Sequence, residues 1–239
     1  MFFLVVVFVG GILSGATAAI AGFGIGSLMT PLLAARLGVS LAVAAVSIPH
    51  AIATAVRAWR LRRAISWPVV RSFGVLSAAG GLIGALLYAR IGSRLLEITL
   101  GLLLLATALA ALSDWTRKWK PRGAMAQSLG FLSGLFGGVA GNQGGLRAAA
   151  LLTFSLTPAA FVATSTAVGL AIDAARMPIY VWRAGSSLLT VLAPIGVATA
   201  GVLIGTLFGE RLLFGLSQER FRRVVGILIA ALGLWLILK

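Results

Sequence analysis

Arg147 stands two positions past Gly145 in the segment Gly144-Gly145-Leu146-Arg147-Ala148-Ala149-Ala150, with no acidic neighbour in sequence. A guanidinium presents a planar fork of N–H donors that fits an oxyanion bidentately. Just inside a helix start it opposes the usual preference of that end for negative charge, so an anion or a buried carboxylate is required nearby. Asp173 is a candidate for that carboxylate. Asn142 and Gln143 come just before, and amides within an apolar segment are costly without a partner. The chemistry these residues offer is reversible capture of negative charge.

A second group lies on helical spacing. Ser47, His50, Thr54 and Arg57 are separated by 3, 4 and 3 residues, so they share one helical face. At an offset of 119 stand Thr166, Gly169, Asp173 and Arg176, again on one face. Polar stripes inside apolar helices face a bundle interior or a wet path. Each member also has a plainer reading. Arg57 begins a basic run and is expected to snorkel to headgroups. Asp173 and Arg176 could form an i, i+3 ion pair, or act as a protonatable coupling residue and an anion ligand. His50, the sole histidine, suits a structural hydrogen bond or a proton relay equally. Ser47, Thr54 and Thr166 could bond their own helix carbonyls.

Other chemistries lack their residues. The chain has no cysteine, one histidine and five carboxylates, which leaves no thiol relay and no ordinary metal site. No cofactor and no catalytic residue is expected, so the chain reads as a non-enzyme.

The elements that must position these groups are membrane helices. Hydrophobic residues make up 60% of 239 positions and the mean hydropathy is +1.07, too apolar for a soluble domain of this size. Runs such as Met1–Gly22, Val69–Ala89 and Leu95–Leu112 carry at most one charge each. Such lengths cross a hydrocarbon core about 30 Å thick. Phe2-Phe3-Leu4-Val5 has no basic flank, which predicts a first membrane helix rather than a cleaved signal. The net charge of +15 gathers between the apolar runs, at Arg57, Arg60, Arg62 and Arg63, at Arg117, Lys118, Lys120 and Arg122, and at Arg211, Arg220, Arg222 and Arg223. That is the pattern of cytoplasmic loops against anionic lipid, not of a nucleic-acid binder.

The chain matches itself at the same offset. Gly11-Ile12-Leu13-Ser14-Gly15 lies on Gly130-Phe131-Leu132-Ser133-Gly134, and 9 of the 23 positions from Gly11 to Leu33 are identical. This predicts two transmembrane repeats, 1–113 and 124–239, joined by a basic linker at 114–123. Five segments are expected in each: Phe2–Ala21, Gly26–Arg36, Leu41–Arg57, Pro68–Ala89 and Arg94–Leu112, then Ala124–Ala140, Gly145–Phe154, Pro158–Val181, Leu188–Phe208 and Glu219–Leu238. The fold class is an all-α integral membrane bundle, each repeat with four long helices and one short half-helix after a glycine-rich break. The breaks are Gly22-Phe23-Gly24-Ile25-Gly26 and Gly141-Asn142-Gln143-Gly144-Gly145. Non-helical backbone at membrane depth survives only where protein or a wet cavity satisfies it, and a helix start aims free N–H groups at one point.

The paired breaks, with Pro31-Leu32-Leu33 after the first and Ala163-Thr164-Ser165 after the second, resemble the sulfite exporter family TauE/SafE over essentially the whole chain. Ala150 stands where that family often has proline, and Asn142-Gln143 with Arg147 replaces a plainer glycine run. The resemblance implies a permease for sulfite, a sulfonate or a related organosulfur anion.

The expected function is therefore secondary transport of a small anion by alternating access at the repeat interface, in the bacterial inner membrane. Its binding residues would be Gly22, Gly24, Gly26, Ser47, Gly141, Asn142, Gln143, Gly144, Gly145, Arg147, Thr164, Ser165 and Thr166. His50, Asp173 and Arg176 would couple or gate. The partners are the anionic solute and membrane lipid. A passive anion channel is the main alternative; a lipid-phosphate enzyme or carrier is a weaker one. If the short segments cross, the repeats are inverted and all three basic clusters share one side. If they re-enter, the repeats are parallel and the last cluster falls outside, against the charge rule.

Overall fold

A computed structural model describes residues 1–113, 123–142, 144–212 and 218–239, with side chains outside 210–222. The described residues form helices and no strand. In chain order they are α1 (Phe2–Ala21), α2 (Ile25–Leu37), α3 (Val39–Arg60), α4 (Trp67–Tyr88), α5 (Ser93–Leu112), α6 (Ala124–Ala140), α7 (Gly144–Leu151), α8 (Pro158–Leu189), α9 (Leu192–Leu212) and α10 (Gln218–Leu238). Six of them are long and apolar enough to cross a bilayer. The chain is an all-α membrane protein. The linker expected at 114–123, apart from Gly123, lies outside the described residues, as do Gln143 and the side chains of Arg211, Arg220 and Arg222.

Most boundaries fall within a few residues of those expected. The exception is α8, which runs 32 residues and absorbs Leu188 and Leu189. Trp182-Arg183-Ala184-Gly185 reads as a connection by polarity, yet nothing there forbids helix, and Pro178 is accommodated within it. Thr157 caps α8 by accepting from the Ala160 amide (3.3 Å). Ser40 lies inside α3 and Ser93 opens α5, so glycines 38 and 92 hold the cap positions instead.

Hydrophobicity cannot drive helix against helix within lipid, so close packing of small residues must. α1 lies along α9: a Cβ added at Gly15 would strike the Val202 carbonyl, and one at Gly205 the Ile12 carbonyl. α4 lies along α6 in the same way, with Gly134 against the Ser77 carbonyl and Gly84 against that of Leu135. α5 pairs with α10 through Gly101 and Gly233, and α3 pairs with α8.

The registers fix the helix directions. Phe8, Ile12 and Ala16 meet Gly201, Gly205 and Gly209 in turn, so α1 and α9 are parallel. Ser77 and Gly81 meet Gly134 and Gly138, so α4 and α6 are parallel too. By contrast His50 faces Asp173 while Arg57 faces Thr166, which makes α3 and α8 antiparallel. Leu112 faces Gly226 while Gly101 faces Ile237, so α5 and α10 are also antiparallel. α2 runs back along α1, with Gly10 against Leu32 and the Arg36 guanidinium over the Phe3 ring at 5.1 Å. The short helix therefore returns the chain to the face where it began, and α3 crosses in the same sense as α1.

Gly134→Val is expected to lower stability by about 1–3 kcal/mol, because the branched side chain must separate α4 from α6. Gly196, with nothing within 4 Å of an added Cβ, serves as the control. Thermal unfolding of the two purified variants in detergent, Gly134→Val and Gly196→Ala, checks this, and equal midpoints contradict the packing described.

Candidate functional site

The two glycine-rich breaks meet. A Cβ added at Gly26 would fall on the Gly141 carbonyl oxygen, and one at Gly144 would strike the Phe23 ring. Gly22 and Gly141 end α1 and α6 in the left-handed region (φ 76° and 72°), where glycine carries no Cβ penalty. The Ser27 hydroxyl donates to Asn142 Oδ1 (3.0 Å), tying the start of α2 to the second break. The Asn142 amide nitrogen, buried, has no partner among the described residues.

Arg147 reaches from α7 into this junction and is 1% exposed. Its Nε donates to Ser165 Oγ (3.0 Å) and its Nη2 to the Gly22 carbonyl (3.4 Å), which Ser165 Oγ also reaches at 3.3 Å. Nη1 is buried without a partner among the described residues. Gly169 makes room for the guanidinium, since a Cβ there would lie 3.1 Å from Nη1. The acceptors of Arg147 among the described residues are neutral oxygens.

Asp173 is engaged elsewhere, which corrects the expectation that it could neutralise Arg147. Its Oδ1 accepts from Arg176 Nε (3.0 Å) and faces Nη2 at 2.8 Å, and its Oδ2 accepts from His50 Nδ1–H (2.6 Å). An ionised carboxylate only accepts, so it selects the His50 tautomer with the proton on Nδ1. Arg176 spends its remaining fork on the Gly137 carbonyl (2.5 Å), and the Tyr180 hydroxyl donates to the Gly138 carbonyl (2.5 Å). This group pins α8 to α6 and, through the edge-on Tyr88–Tyr180 contact, to α4. Breaking such a buried pair typically costs about 3–5 kcal/mol.

Arg57 does not snorkel. It is 5% exposed, its Nε donates to Thr166 Oγ1 (2.8 Å), and its Nη1 is buried without a partner among the described residues. Its position as the first of four basic residues hid this from sequence. Arg57 and Arg147 reach α8 at adjacent residues, Thr166 and Ser165.

Of the other expected site residues, Ser47 gives its hydroxyl to the Ala44 carbonyl (2.6 Å), and Gly24 packs on Thr17. Gly145 packs on Thr107. Thr164 accepts from the Ser66 amide (3.0 Å), so the α3–α4 connection closes over this end. The junction itself gathers Gly22, Gly26, Gly141, Asn142, Arg147, Ser165 and, through Arg57, Thr166. Ser27, Thr30, Arg57 and Tyr180 were not among the expected residues. Thr30 Oγ1 is a further buried hydroxyl without a partner, 3.3 Å from where a Gly141 Cβ would be. No group of histidines and carboxylates able to hold a metal occurs among the described residues.

Buried donors at these helix ends that have no partner among the described residues, Arg147 Nη1 and the Asn142 amide, are of a kind that suits an anion. No curated protein and no solved structure matches the chain. One family model, described as sulfite exporter TauE/SafE, matches residues 7–236. The chain belongs to the TauE/SafE sulfite exporter family of membrane transporters.

Proposed function

We propose that the protein is a secondary permease that carries a small sulfur oxyanion, sulfite or a sulfonate, across the bacterial inner membrane. The observation that carries this is Arg147: a guanidinium sealed from solvent whose hydrogen bonds among the described residues all go to neutral oxygens, with Nη1 left over and no ion pair of its own there. A desolvated cation is expensive unless an anion or water compensates it. The Asn142 amide supplies a second free donor at the same junction. Asn142 and Arg147 are the anion's ligands, Ser165 orients the guanidinium, and the glycines of both breaks let backbone approach the anion.

The helix directions support duplicated units of opposite orientation. Position for position, α1 would correspond to α6, α3 to α8, α4 to α9 and α5 to α10, each pair pointing oppositely. Transport would follow as the units rock about the junction. The ends of α3, α5 and α9 share one face, so the charge rule makes that face cytoplasmic. Asp173 and His50 would link a proton to this motion, since loss of the carboxylate charge loosens α8 from α6.

Among sulfite, sulfonates, carboxylates and phosphate, the sulfur oxyanions are expected to raise the unfolding temperature of purified protein. Arg147→Ala should abolish that shift, and a shift that survives refutes the ligand assignment. In proteoliposomes a carrier accelerates labelled anion exchange when unlabelled anion is present opposite, whereas a channel does not. Asp173→Asn and His50→Ala should flatten the pH dependence of exchange; an unchanged profile in both removes proton coupling. Because the chain lacks cysteine, single introduced thiols report sidedness cleanly. Arg62→Cys should resist an impermeant reagent applied to intact cells, and Gly92→Cys should react.

A further inference from the structure

We propose that Arg57 is a second anion ligand, and that the site takes a doubly charged sulfur oxyanion shared between Arg57 and Arg147. The inference rests on the anion-binding reading of Arg147 and adds the charge of the solute. Three buried guanidiniums, those of Arg57, Arg147 and Arg176, face one buried carboxylate, that of Asp173. Asp173 commits one oxygen to Arg176 and the other to His50. The cluster therefore holds an excess of two positive charges among the described residues, before any proton on His50. Glu97 is the other carboxylate whose side chain is described, and it sits beside the exposed Arg94 (3.6 Å).

The placement of the two uncommitted guanidiniums is consistent with one shared ligand. They are hung on neighbouring hydroxyls of α8, Arg147 on Ser165 and Arg57 on Thr166, and each keeps a buried Nη1 with no acceptor among the described residues. Thr166 Oγ1 in turn donates to its own helix at the Val162 carbonyl (2.7 Å), so its lone pairs are turned to receive Arg57. That arrangement orients the guanidinium without neutralising it. An arginine kept only to join α3 to α8 would use its fork on carbonyls, as Arg176 does on Gly137. A monoanion would leave one of the two charges buried and uncompensated; a dianion answers both.

Sulfate and methanesulfonate share three oxygens on a tetrahedral sulfur and differ by one charge, so they isolate the effect. Their dissociation constants are measured by calorimetry on the full-length protein in lipid nanodiscs, for wild type, Arg57→Gln, Arg57→Lys and Arg147→Ala. Wild type should favour sulfate by about 10-fold or more, the scale of one charge-assisted hydrogen bond. Arg57→Gln should weaken sulfate by about 10–100-fold, bring the two anions to near parity and hardly change methanesulfonate. Arg57→Lys keeps the charge and should keep the preference at reduced affinity, which preserves the test if the glutamine variant does not fold. A sulfate preference unchanged in Arg57→Gln overturns the proposal, as does equal weakening of both anions in a folded Arg57→Gln or parity in wild type or Arg57→Lys. If Arg147→Ala abolishes binding while Arg57 is immaterial, the transport reading stands and this inference falls. If wild type binds neither anion, both fall.

Discussion

The commitment of Asp173 to Arg176 and His50 governs the rest of the site. One carboxylate buried to the same depth as three guanidiniums can neutralise one of them, and geometry assigns it to the arginine one turn along its own helix. That assignment has two effects. Arg176 becomes a staple, fixing α8 to the carbonyls that end α6. Arg147 and Arg57 are left as cations held by neutral oxygens in a low-dielectric interior, where a charge costs several kcal/mol unless compensated. Had Asp173 turned to Arg147, the junction would be a closed structural ion pair with little reason to accept a solute.

Glycine provides the complementary constraint, since it sets how near the backbones come. Along α1–α9 and α4–α6 the absent Cβ atoms let helix meet helix at the backbone. At the junction the same device brings the start of α2 against the end of α6, so that Gly26 touches the Gly141 carbonyl. Tight parallel pairs form two stiff units, each mixing helices from both halves of the chain. The contacts between them run through α3 and α8, where the polar stripe lies. A bundle divided this way can hinge where it is polar and remain rigid where it is close-packed.

Much of this was legible in the sequence, and the failures have particular causes. The glycine-rich breaks, the short helices after them and the uncompensated look of Arg147 follow from local composition. Their meeting followed only as an expectation from repetition at a fixed offset. What sequence could not assign was partnership. Asp173 lies 3 residues from Arg176 and 26 from Arg147, and spacing alone does not tell which of the two takes the charge. Arg57 was misread because its neighbours Arg60, Arg62 and Arg63 are true interfacial residues; burial distinguishes it, and burial depends on α8 packing across it. Ser27 gave no signal, being one hydroxyl among small residues, until the fold set it beside Asn142.

The excess positive charge also bears on why such a site would carry rather than leak. In a sealed conformation two guanidiniums without counter-charge pay the full desolvation penalty, whereas in a conformation open to either face water relieves it. An anion held between them compensates the sealed state selectively. A ligand shifts a conformational equilibrium only by its difference in affinity between states, and here that difference is largest for the sealed state. In the proposed alternating-access cycle, passage between two open forms through a sealed one would therefore be favoured with anion aboard and opposed without it. On the proposed reading, obligatory exchange would then follow from the same electrostatics that select the solute, with no separate gate required to prevent empty return.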